Sequence, residues 1–455
     1  MPGNKADVPK EISDTFGDSG DTLEEKLHRR SFFDGRRFLH NEFGDMLIEN
    51  YFVCKIDGTV HAYQDGVYSA ITLPGIMIRE LPSITESQRR EVRAYLRDAP
   101  YTPELELAPP ELIPLKSSIY DIETDSTLNY DPGFVFLNKF PWDFDPLAPK
   151  SEVVDDLLCA IADGDPDIIE LLLEAIGSTL LRVNRYRASF MLYGPSGGNG
   201  KSTFLNMLCQ FLGPENVSHL SLHDTEQRFR LIGVYGKAAN IGDDISDQVL
   251  KDSSIYKKLV TGESVVAEYK NVDPVSFRPY AKFFFASNSL PPVSDRSRAF
   301  FSRLLVIPLT HDFSKDGDVK LKDRRWTEKD MMYLMRLAIG GLQRVLKFGF
   351  HVPDKVKDLV REYETENNPV LGFINEYAKD IEGLSTTEVY ADFEVWCQKA
   401  GHRRVIAKEK FSRELRNLEG FTTVPRWNGT KHTRVFTRDT QRNTKTTLLC
   451  NGKNH

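Results

Sequence analysis

A glycine-rich turn near the middle of the chain constrains its fold most strongly. An apolar run at residues 190–193 precedes the turn, and an amphipathic helical pattern follows it. The turn itself reads Gly194, Pro195, Ser196, Gly197, Gly198, Asn199, Gly200, Lys201, Ser202 and Thr203. A strand that leads through such a turn into a helix can place successive backbone N–H groups around a polyphosphate. The pattern therefore predicts a nucleotide at the carboxyl ends of the strands of an α/β sheet.

The residue types in this turn suit the phosphates of ATP and an accompanying Mg²⁺ ion. Glycine lets the backbone approach the phosphates, Lys201 can place its charge on the β- and γ-oxygens, and the Ser202 hydroxyl can ligate Mg²⁺. Five residues separate Gly194 from Gly200, one more than in the standard pattern. A glycine-rich coil is the alternative, which the flanking strand and helix patterns disfavour. The predicted nucleotide-binding residues are Gly194, Gly197, Gly198, Asn199, Gly200, Lys201, Ser202 and Thr203.

Length and composition limit the class of protein. A chain of 455 residues is too long for one ordinary core, so we expect several domains of roughly 150 residues each. No apolar run reaches the roughly 18 residues of a membrane span, so we expect no membrane partner. Five scattered cysteines form no CxxC pair, and the N-terminus does not resemble a signal peptide. These features favour a reducing, cytoplasmic setting.

The charge of the chain is distributed unevenly. Residues 399–455 carry fourteen Lys and Arg against four Asp and Glu, a net +10 within a chain whose total is −7. The first 398 residues therefore carry −17. A basic terminal module on an acidic body indicates contact with a polyanion at one end, as in nucleic-acid binding. A solvated basic tail without a specific partner is the alternative.

The patterns along the chain predict an α/β core with flanking domains. Strands and helices alternate from residue 188 to about 310, which predicts a largely parallel sheet. Residues 370–438 give three helices and two strands across an Asn428-Gly429 turn, which together with their charge predicts a winged helix-turn-helix. The predicted segments are a disordered acidic lead at 1–30, an α+β domain at 31–150, a helical collar at 151–187, the ATPase core at 188–366, the winged helix at 367–438 and a basic tail at 439–455.

Two acids follow a further strand-like run. Asp243 and Asp244 end the run that begins at Lys237. Asp243 could hold the Mg²⁺ shell together with Ser202, and Asp244 could orient or deprotonate an attacking water, so the pair suits phosphate hydrolysis. Two acids at this place can equally cap the next helix.

Two other polar residues adjoin apolar runs. Asn288 ends the run at 280–287, where it could hydrogen-bond the γ-phosphate or its attacking water, or could serve only a turn. Arg303 comes just before the run at 304–307, and its guanidinium could act as an arginine finger on the γ-phosphate of a neighbouring subunit.

The order of phosphate loop, paired acids, strand-end Asn and trailing Arg resembles that of the superfamily 3 helicases, a branch of the AAA+ ATPases. Residues 257–263 and 266–270 are similar to a further motif of that family. The resemblance implies a hexameric ring with ATP bound between subunits, Arg303 coming from the next subunit, and 3′-to-5′ travel. It also implies a β-hairpin in the central pore on which Lys270 grips DNA, although a lysine at a hairpin tip is otherwise most often solvated.

The flanks resemble the helicase portion of phage, plasmid and poxvirus primase-helicases. Residues 113–122 and 138–146 look like the region before the motor, and 397–436 are similar to the winged-helix end. One departure is Ser302, where the family often has a second arginine before the final strand. Asp143 and Asp145 form a DxD pair that could hold two metals, although a proline-bounded turn is the favoured interpretation.

These observations favour an ATP-dependent DNA helicase that acts in phage- or plasmid-type replication, with a separate primase or polymerase as a possible partner. An ATP-switched initiator or loader that binds DNA without unwinding it is the alternative. A phosphate-loop kinase fits less well, because it leaves the basic C-terminal module without a role. Single- and double-stranded DNA are the expected partners, contacted by Arg403, Arg404, Lys408, Lys410, Arg413 and Arg416.

Overall fold

A computed structural model gives the fold, and the chain divides into two compact units. The first comprises Met1–Leu107 with Asp131–Val135, and the second comprises Ala108–Tyr130 with Phe136–His455. The lead at 1–30 and the tail at 439–455 lie outside the described residues. The structure describes residues 32–195, 197–227, 229–242, 249–268, 274–295, 297–313, 325–377, 381–401, 405–419, 421–427, 430 and 432–438.

The first unit is a small α+β domain. Strands β3, β4 and β5 form an antiparallel meander, and β1 pairs with β2. Helix α3 begins with a capping box in which Thr85 and Gln88 bond each other's backbone N–H. The elements are β1 Phe33–Asp34, β2 Arg37–Phe38, α1 His40–Tyr51, β3 Cys54–Ile56, β4 Thr59–Gln64, β5 Val67–Ser69, α2 Leu73–Glu80 and α3 Glu86–Asp98.

The second unit begins earlier than the sequence predicts, at Ala108 rather than near residue 151. The reason is packing, because Ile113, Tyr120 and Phe140 belong to the same hydrophobic core as the helices that precede the central sheet. The elements here are β6 Leu112–Pro114, β7 Ile119–Asp121, β8 Ser126–Leu128, α4 Glu152–Ile161 and α5 Pro166–Ser178. Strands β6, β7 and β8 form a small antiparallel sheet.

A five-stranded parallel sheet occupies the centre of the second unit, as the alternation of elements predicts. The strand order is β10-β11-β14-β9-β15, so the phosphate-loop strand β9 lies between β14 and β15. Strand β14 is buried along its whole length, which explains its continuous apolar sequence. The elements are β9 Ser189–Tyr193, α6 Lys201–Leu212, β10 Val217–Ser218, β11 Ala239–Gly242, α7 Ser254–Thr261, β12 Val265–Ala267, β13 Val275–Phe277, β14 Lys282–Ser287, α8 Arg298–Phe301 and β15 Leu304–Pro308.

Strands β12 and β13 pair antiparallel between α7 and β14. This is the place where the sequence predicts a β-hairpin, and its base is therefore confirmed. Lys270, which the resemblance places at the tip, lies outside the described residues.

Two helices follow the sheet, α9 Glu328–Phe348 and α10 Asp354–Asn367. Helix α9 crosses α5 closely, because glycines stand at the crossing. A Cβ atom on Gly341 would lie 2.6 Å from the carbonyl oxygen of Leu173. None of the helices in the described ranges is long and apolar enough to span a bilayer.

The C-terminal region contains the three helices and the hairpin that the sequence predicts. Its own small core packs Phe393 against Phe411, with ring centroids 4.4 Å apart. Antiparallel strands β16 and β17 complete it. The elements are α11 Pro369–Tyr377, α12 Thr386–Lys399, α13 Lys408–Glu419, β16 Phe421–Trp427 and β17 His432–Arg438.

Candidate functional site

The phosphate loop begins at the carboxyl edge of the parallel sheet, between the segments that follow β14 and β15. The Gly194 N–H donates to the Ser287 carbonyl at 3.2 Å, and the Leu309 N–H donates to the Tyr193 carbonyl at 2.7 Å. Asn288, the residue after Ser287, is exposed beside the start of the loop. The structure thus brings the predicted strand-end asparagine and the predicted phosphate loop together.

Two glycines of the loop differ in the space around them. Gly200 has φ +79°, and a Cβ atom there would lie 2.8 Å from Cε2 of Phe313 and 3.0 Å from Cγ1 of Ile161. Nothing lies within 4 Å of the place where a Cβ atom of Gly197 would stand. The loop is therefore tightly packed beneath Gly200 and open above Gly197, which leaves room for a ligand on the open side.

Contacts with the segment after β15 anchor the lengthened loop. The side chain of Asn199 is buried, and its Nδ2 donates to the His311 carbonyl at 2.7 Å. The Phe313 N–H donates to the Gly198 carbonyl at 3.0 Å. The Gly198-Asn199 segment is thus held by two hydrogen bonds to residues 311–313, which fix the position of the longer turn.

The end of the loop combines a cation with a helix N-terminus. Lys201 Nζ donates to the Gly194 carbonyl at 2.9 Å and to Asn199 Oδ1 at 3.3 Å, so the ammonium lies within the loop. Helix α6 begins after Gly200, which has no side chain to cap the first turn. Half-buried Ser202 and Thr203 stand in that turn. Backbone N–H groups, a lysine and a hydroxyl in one place fit a polyphosphate and the Mg²⁺ that accompanies it.

The paired acids follow strand β11 in the sequence. Asp243 and Asp244 lie outside the described residues, but they follow Gly242, the last residue of β11. Gly242 pairs with Phe285 of β14, so β11 ends at the same sheet edge as the phosphate loop. Their roles, including that of Asp243 as a metal ligand, stay predictions.

The carboxylates of the DxD pair, Asp143 and Asp145, accept hydrogen bonds from the protein itself. Asp143 accepts hydrogen bonds from the N–H and hydroxyl of Ser117, at 2.8 and 2.6 Å, and Asp145 accepts one from the Leu147 N–H at 2.8 Å. Asp145 thus holds a local turn, whereas Asp143 joins its segment to that of Ser117. Among the residues that the structure describes, no group of three or more His, Cys, Asp or Glu side chains is placed to bind a metal.

Arg303 lies at the opposite edge of the sheet from the phosphate loop. It precedes Leu304 of β15, which pairs with Ser189, the first residue of β9. The Ser189 N–H donates to the Arg303 carbonyl at 2.8 Å. A five-residue strand separates the two edges by roughly 15 Å. The chain therefore does not bring Arg303 to its own phosphate loop.

The predicted DNA-contacting residues on α13 differ in exposure. Lys410 and Arg413 are exposed, whereas Lys408 and Arg416 are half-buried. Lys408 Nζ donates to Thr387 Oγ1 at 2.7 Å, so it also ties α13 to α12. Arg403 and Arg404 lie outside the described residues.

Three residues at the loop escape the sequence analysis, namely Ser287, His311 and Phe313. Each bonds the loop through a backbone atom, which any residue type can supply, and Phe313 also places its ring against Gly200. Only the position of β15 beside β9 would reveal the last two, and no local motif encodes that position.

The sheet and the loop define the class of fold, an α/β protein with a phosphate loop at the carboxyl edge of a parallel sheet. Two family descriptions match parts of the chain. Residues 192–303 match a family of unknown function (DUF5906), and residues 365–445 match the Poxvirus D5 protein-like family.

Two viral proteins named Putative helicase are similar to this chain. One, from Acanthamoeba polyphaga mimivirus, is 23% identical over 265 residues, which are 51% of this chain and 27% of that protein. The other, from Invertebrate iridescent virus 3, is 24% identical over 364 residues, or 69% of this chain and 38% of that protein. The chain thus spans well under half the length of either relative.

Among solved structures, an apo form of the NrS-1 C-terminal region matches with 15% identity and a TM-score of 0.47, over 87% of this chain and 98% of that one. A second apo structure of the same region gives a TM-score of 0.45, with 84% and 94% covered. The chain is thus similar, over its C-terminal region, to the Poxvirus D5 protein-like family and, over longer stretches, to two viral proteins named Putative helicase.

Proposed function

We propose that this chain is an ATP-dependent DNA helicase of the superfamily 3 type, an AAA+ motor that forms a ring and works in replication. The observation that carries the proposal is the carboxyl edge of the sheet, where Asn288 lies beside the phosphate loop. The names of the two viral relatives and the D5-like match of the C-terminal region support the same function.

In this proposal the loop holds ATP and the neighbouring strand ends hydrolyse it. Lys201 and the N–H groups of the first turn of α6 bind the phosphates, and Ser202 with Asp243 holds Mg²⁺, which neutralises charge on the phosphates. Asp244 takes the proton of the attacking water. Asn288 hydrogen-bonds the γ-phosphate or that water, because it stands at the edge of the loop.

Arg303 then serves the neighbouring subunit. Its place at the amino edge of the sheet suits contact with a second copy, whose carboxyl edge carries the loop. A guanidinium there would offset the negative charge that develops on the γ-phosphate. A closed ring, which we propose is a hexamer, gives every subunit one such neighbour.

Two regions contact DNA in this proposal. The β12–β13 hairpin carries Lys270 toward a single strand in the pore, with 3′-to-5′ travel. The three helices and hairpin of residues 369–438 form a winged helix that binds DNA phosphates through the basic residues of α13, which makes binding fall steeply with salt.

Strand displacement on a 3′-tailed DNA duplex with ATP and Mg²⁺ tests the function. The wild-type protein should displace the strand, and Lys201→Ala should abolish both displacement and ATP hydrolysis while its melting temperature stays unchanged. ATP turnover without displacement at any salt concentration would overturn the helicase proposal and favour the initiator. Unchanged turnover by Lys201→Ala would overturn the site.

Mixing two inactive variants tests the shared site. Arg303→Ala and Lys201→Ala subunits, each inactive alone, should regain part of the ATPase activity when mixed, because some interfaces then pair an intact loop with an intact arginine. Arg298→Ala, which removes an exposed arginine from α8, is the matched control. Absence of rescue would show that Arg303 does not act across an interface.

A further inference from the structure

The tip of the β16–β17 hairpin carries an exposed aromatic pair. The strand register places Trp427 opposite His432, and their ring centroids lie 5.1 Å apart. Trp427 is 57% exposed. Tryptophan is enriched at binding surfaces, because covering its large apolar ring with a partner is favourable.

The alternation of the strands shows why the pair projects away from the protein. Phe421 and Trp427 lie on one face of β16, and at its base that face is buried, since Phe421 and its neighbour Phe436 are 2% and 0% exposed. The core ends before the tip is reached. The same face of the hairpin thus begins in the hydrophobic core and ends in solvent with Trp427.

The base of the hairpin is fixed to the rest of the domain. The Gly383 N–H donates to the Phe436 carbonyl at 2.8 Å, and the Phe436 N–H donates to the Leu384 carbonyl at 3.0 Å. These bonds tie β17 to the segment before α12. The tip is therefore presented on a supported ribbon, so little conformational entropy is lost when a ligand binds it.

The charge of the hairpin selects the kind of ligand. Residues 421–438 contain four basic side chains and no acidic one. Arg434 pairs with Pro425 two register positions from the Trp427 and His432 pair, and therefore on the same face. A π-surface beside a guanidinium suits a nucleobase with its phosphate, and the bases of a continuous duplex are already covered by their neighbours in the stack.

We propose that the Trp427 and His432 pair at the hairpin tip is a stacking platform for unpaired bases of DNA, with Arg434 on the adjoining phosphate. This inference rests on the proposed function only for the choice of DNA as partner. It adds a contact to single-stranded bases, whereas the basic residues of α13 face phosphates. At a fork, such a tip would stack on the bases that have just been separated.

Binding of a 20-nucleotide single strand, without ATP, tests the platform by fluorescence anisotropy. Trp427→Ala should weaken binding by roughly fivefold or more, and Trp427→Phe should retain most of the affinity, because base stacking needs an aromatic face. Val424→Ala is the matched control, since Val424 is exposed on the opposite face of β16. A duplex whose two ends are closed by flexible non-nucleotide linkers has no unpaired base. The wild type and the three variants should therefore bind it with affinities within twofold of one another.

Tryptophan fluorescence gives a second readout that survives misfolding of the alanine variant. The wild-type emission should be quenched by the single strand, and the quenching should be lost in Trp427→Phe, which keeps the hairpin aromatic. Each of three outcomes would overturn the platform. These are equal affinities of Trp427→Ala and Val424→Ala for the single strand, quenching that persists in Trp427→Phe, and a loss of affinity of Trp427→Ala for the closed duplex equal to its loss for the single strand. Because no step uses ATP, failure here leaves the helicase assay unaffected, and the reverse also holds.

Discussion

Lys257 Nζ lies 2.7 Å from Oδ2 of Asp295, and this ion pair joins two segments that the proposed motor must couple. Lys257 stands on α7, the helix that leads into the β12–β13 hairpin. Asp295 stands in the segment that leads into α8 and Arg303. Burial alone would raise the pKa of Asp295, but hydrogen bonds from Lys257, Ser253 and Ser297 hold it well below its ordinary value.

A second contact joins the same two segments. The Tyr256 hydroxyl on α7 lies 2.5 Å from Ser189 Oγ, which in turn donates to the Arg303 carbonyl at 3.0 Å. Tyr256 also packs against Phe300 of α8, with ring centroids 5.2 Å apart. Helix α7 and the segment that carries Arg303 are therefore linked by polar and apolar contacts.

Asp295→Asn should weaken this link. The variant leaves Lys257, only 28% exposed, without its carboxylate, which should lower the free energy of unfolding by about 1–2 kcal/mol. In the proposed motor, it should also lower the number of base pairs opened per ATP hydrolysed. Urea unfolding and a displacement assay with coupled ATPase measure the two effects.

Lys258→Met is the control for the ion pair. Lys258 is the next residue of α7 and is exposed, so its loss should change stability by less than about 0.5 kcal/mol. If Asp295→Asn and Lys258→Met behave alike in both assays, the pair has no coupling role.

Asn288 and Arg303 differ in how much of their position could be predicted from the sequence. Parallel strands share a carboxyl edge, so a strand-end Asn288 could be predicted to lie near the phosphate loop before any strand order was known. Arg303 precedes its strand, which puts it at the amino edge once β15 is known to run parallel to β9. The hydrogen bond from Asn199 to the His311 carbonyl could not be predicted, because every residue type has a backbone carbonyl that can accept.

Alanine at two glycines of the phosphate loop should affect stability and ATP binding differently. Gly200→Ala forces a side chain into the left-handed region, against Phe313 and Ile161, and should lower stability by about 1–3 kcal/mol. Gly197→Ala meets nothing within 4 Å and should leave the melting temperature unchanged. Its Cβ atom would nonetheless occupy the open side of the loop, so ATP should bind it more weakly.

Thermal unfolding with and without MgATP separates the two loop variants, since a ligand that binds the folded state raises the melting temperature. Without ligand, Gly197→Ala should have the melting temperature of the wild type. With MgATP, its melting temperature should rise by less than that of the wild type. A full MgATP shift in Gly197→Ala would mean that the phosphates do not lie on that side of the loop.

Two adjacent glycines of α9 offer a test of the helix crossing. Gly341→Ala would place its Cβ atom 2.6 Å from the Leu173 carbonyl oxygen, and because backbone cannot yield as a side chain can, α5 and α9 must move apart. We expect a loss of about 1–3 kcal/mol. Gly340→Ala meets only a side-chain nitrogen of Arg344, at 3.9 Å, and should gain up to about 1 kcal/mol from helix propensity.

Denaturant unfolding of the two glycine variants measures the difference. Opposite signs would establish that α5 and α9 touch through backbone at Gly341. A gain in both variants would contradict the close crossing.

Lys282 is a buried cation at the start of β14, and it makes stability depend on pH. Its Nζ donates to the carbonyls of Leu181, Val183 and Tyr280, at 2.8, 3.2 and 2.8 Å. Burial lowers the pKa of Lys282 to about 7 from an ordinary 10.5. The folded protein therefore binds fewer protons at this site than the unfolded chain does between those two pH values.

The sign of the effect follows from this difference in bound protons. Where the unfolded chain binds more protons, stability rises with pH, so Lys282 should add up to about 1.4 kcal/mol of stability per pH unit above pH 7. In Lys282→Met that contribution disappears. The three carbonyls also lose their donor in this variant, which lowers its free energy of unfolding.

Urea unfolding at pH 7, 8 and 9 reads this slope directly. The free energy of unfolding of the wild type should rise relative to that of Lys282→Met at each step in pH. The control Lys329→Met, at an exposed position of α9, should show the same change with pH as the wild type. Since other titrating groups are common to all three proteins, they cancel in the differences. Parallel lines for all three would show that Lys282 keeps its proton in the folded protein throughout this range, and that its three carbonyl acceptors outweigh its burial.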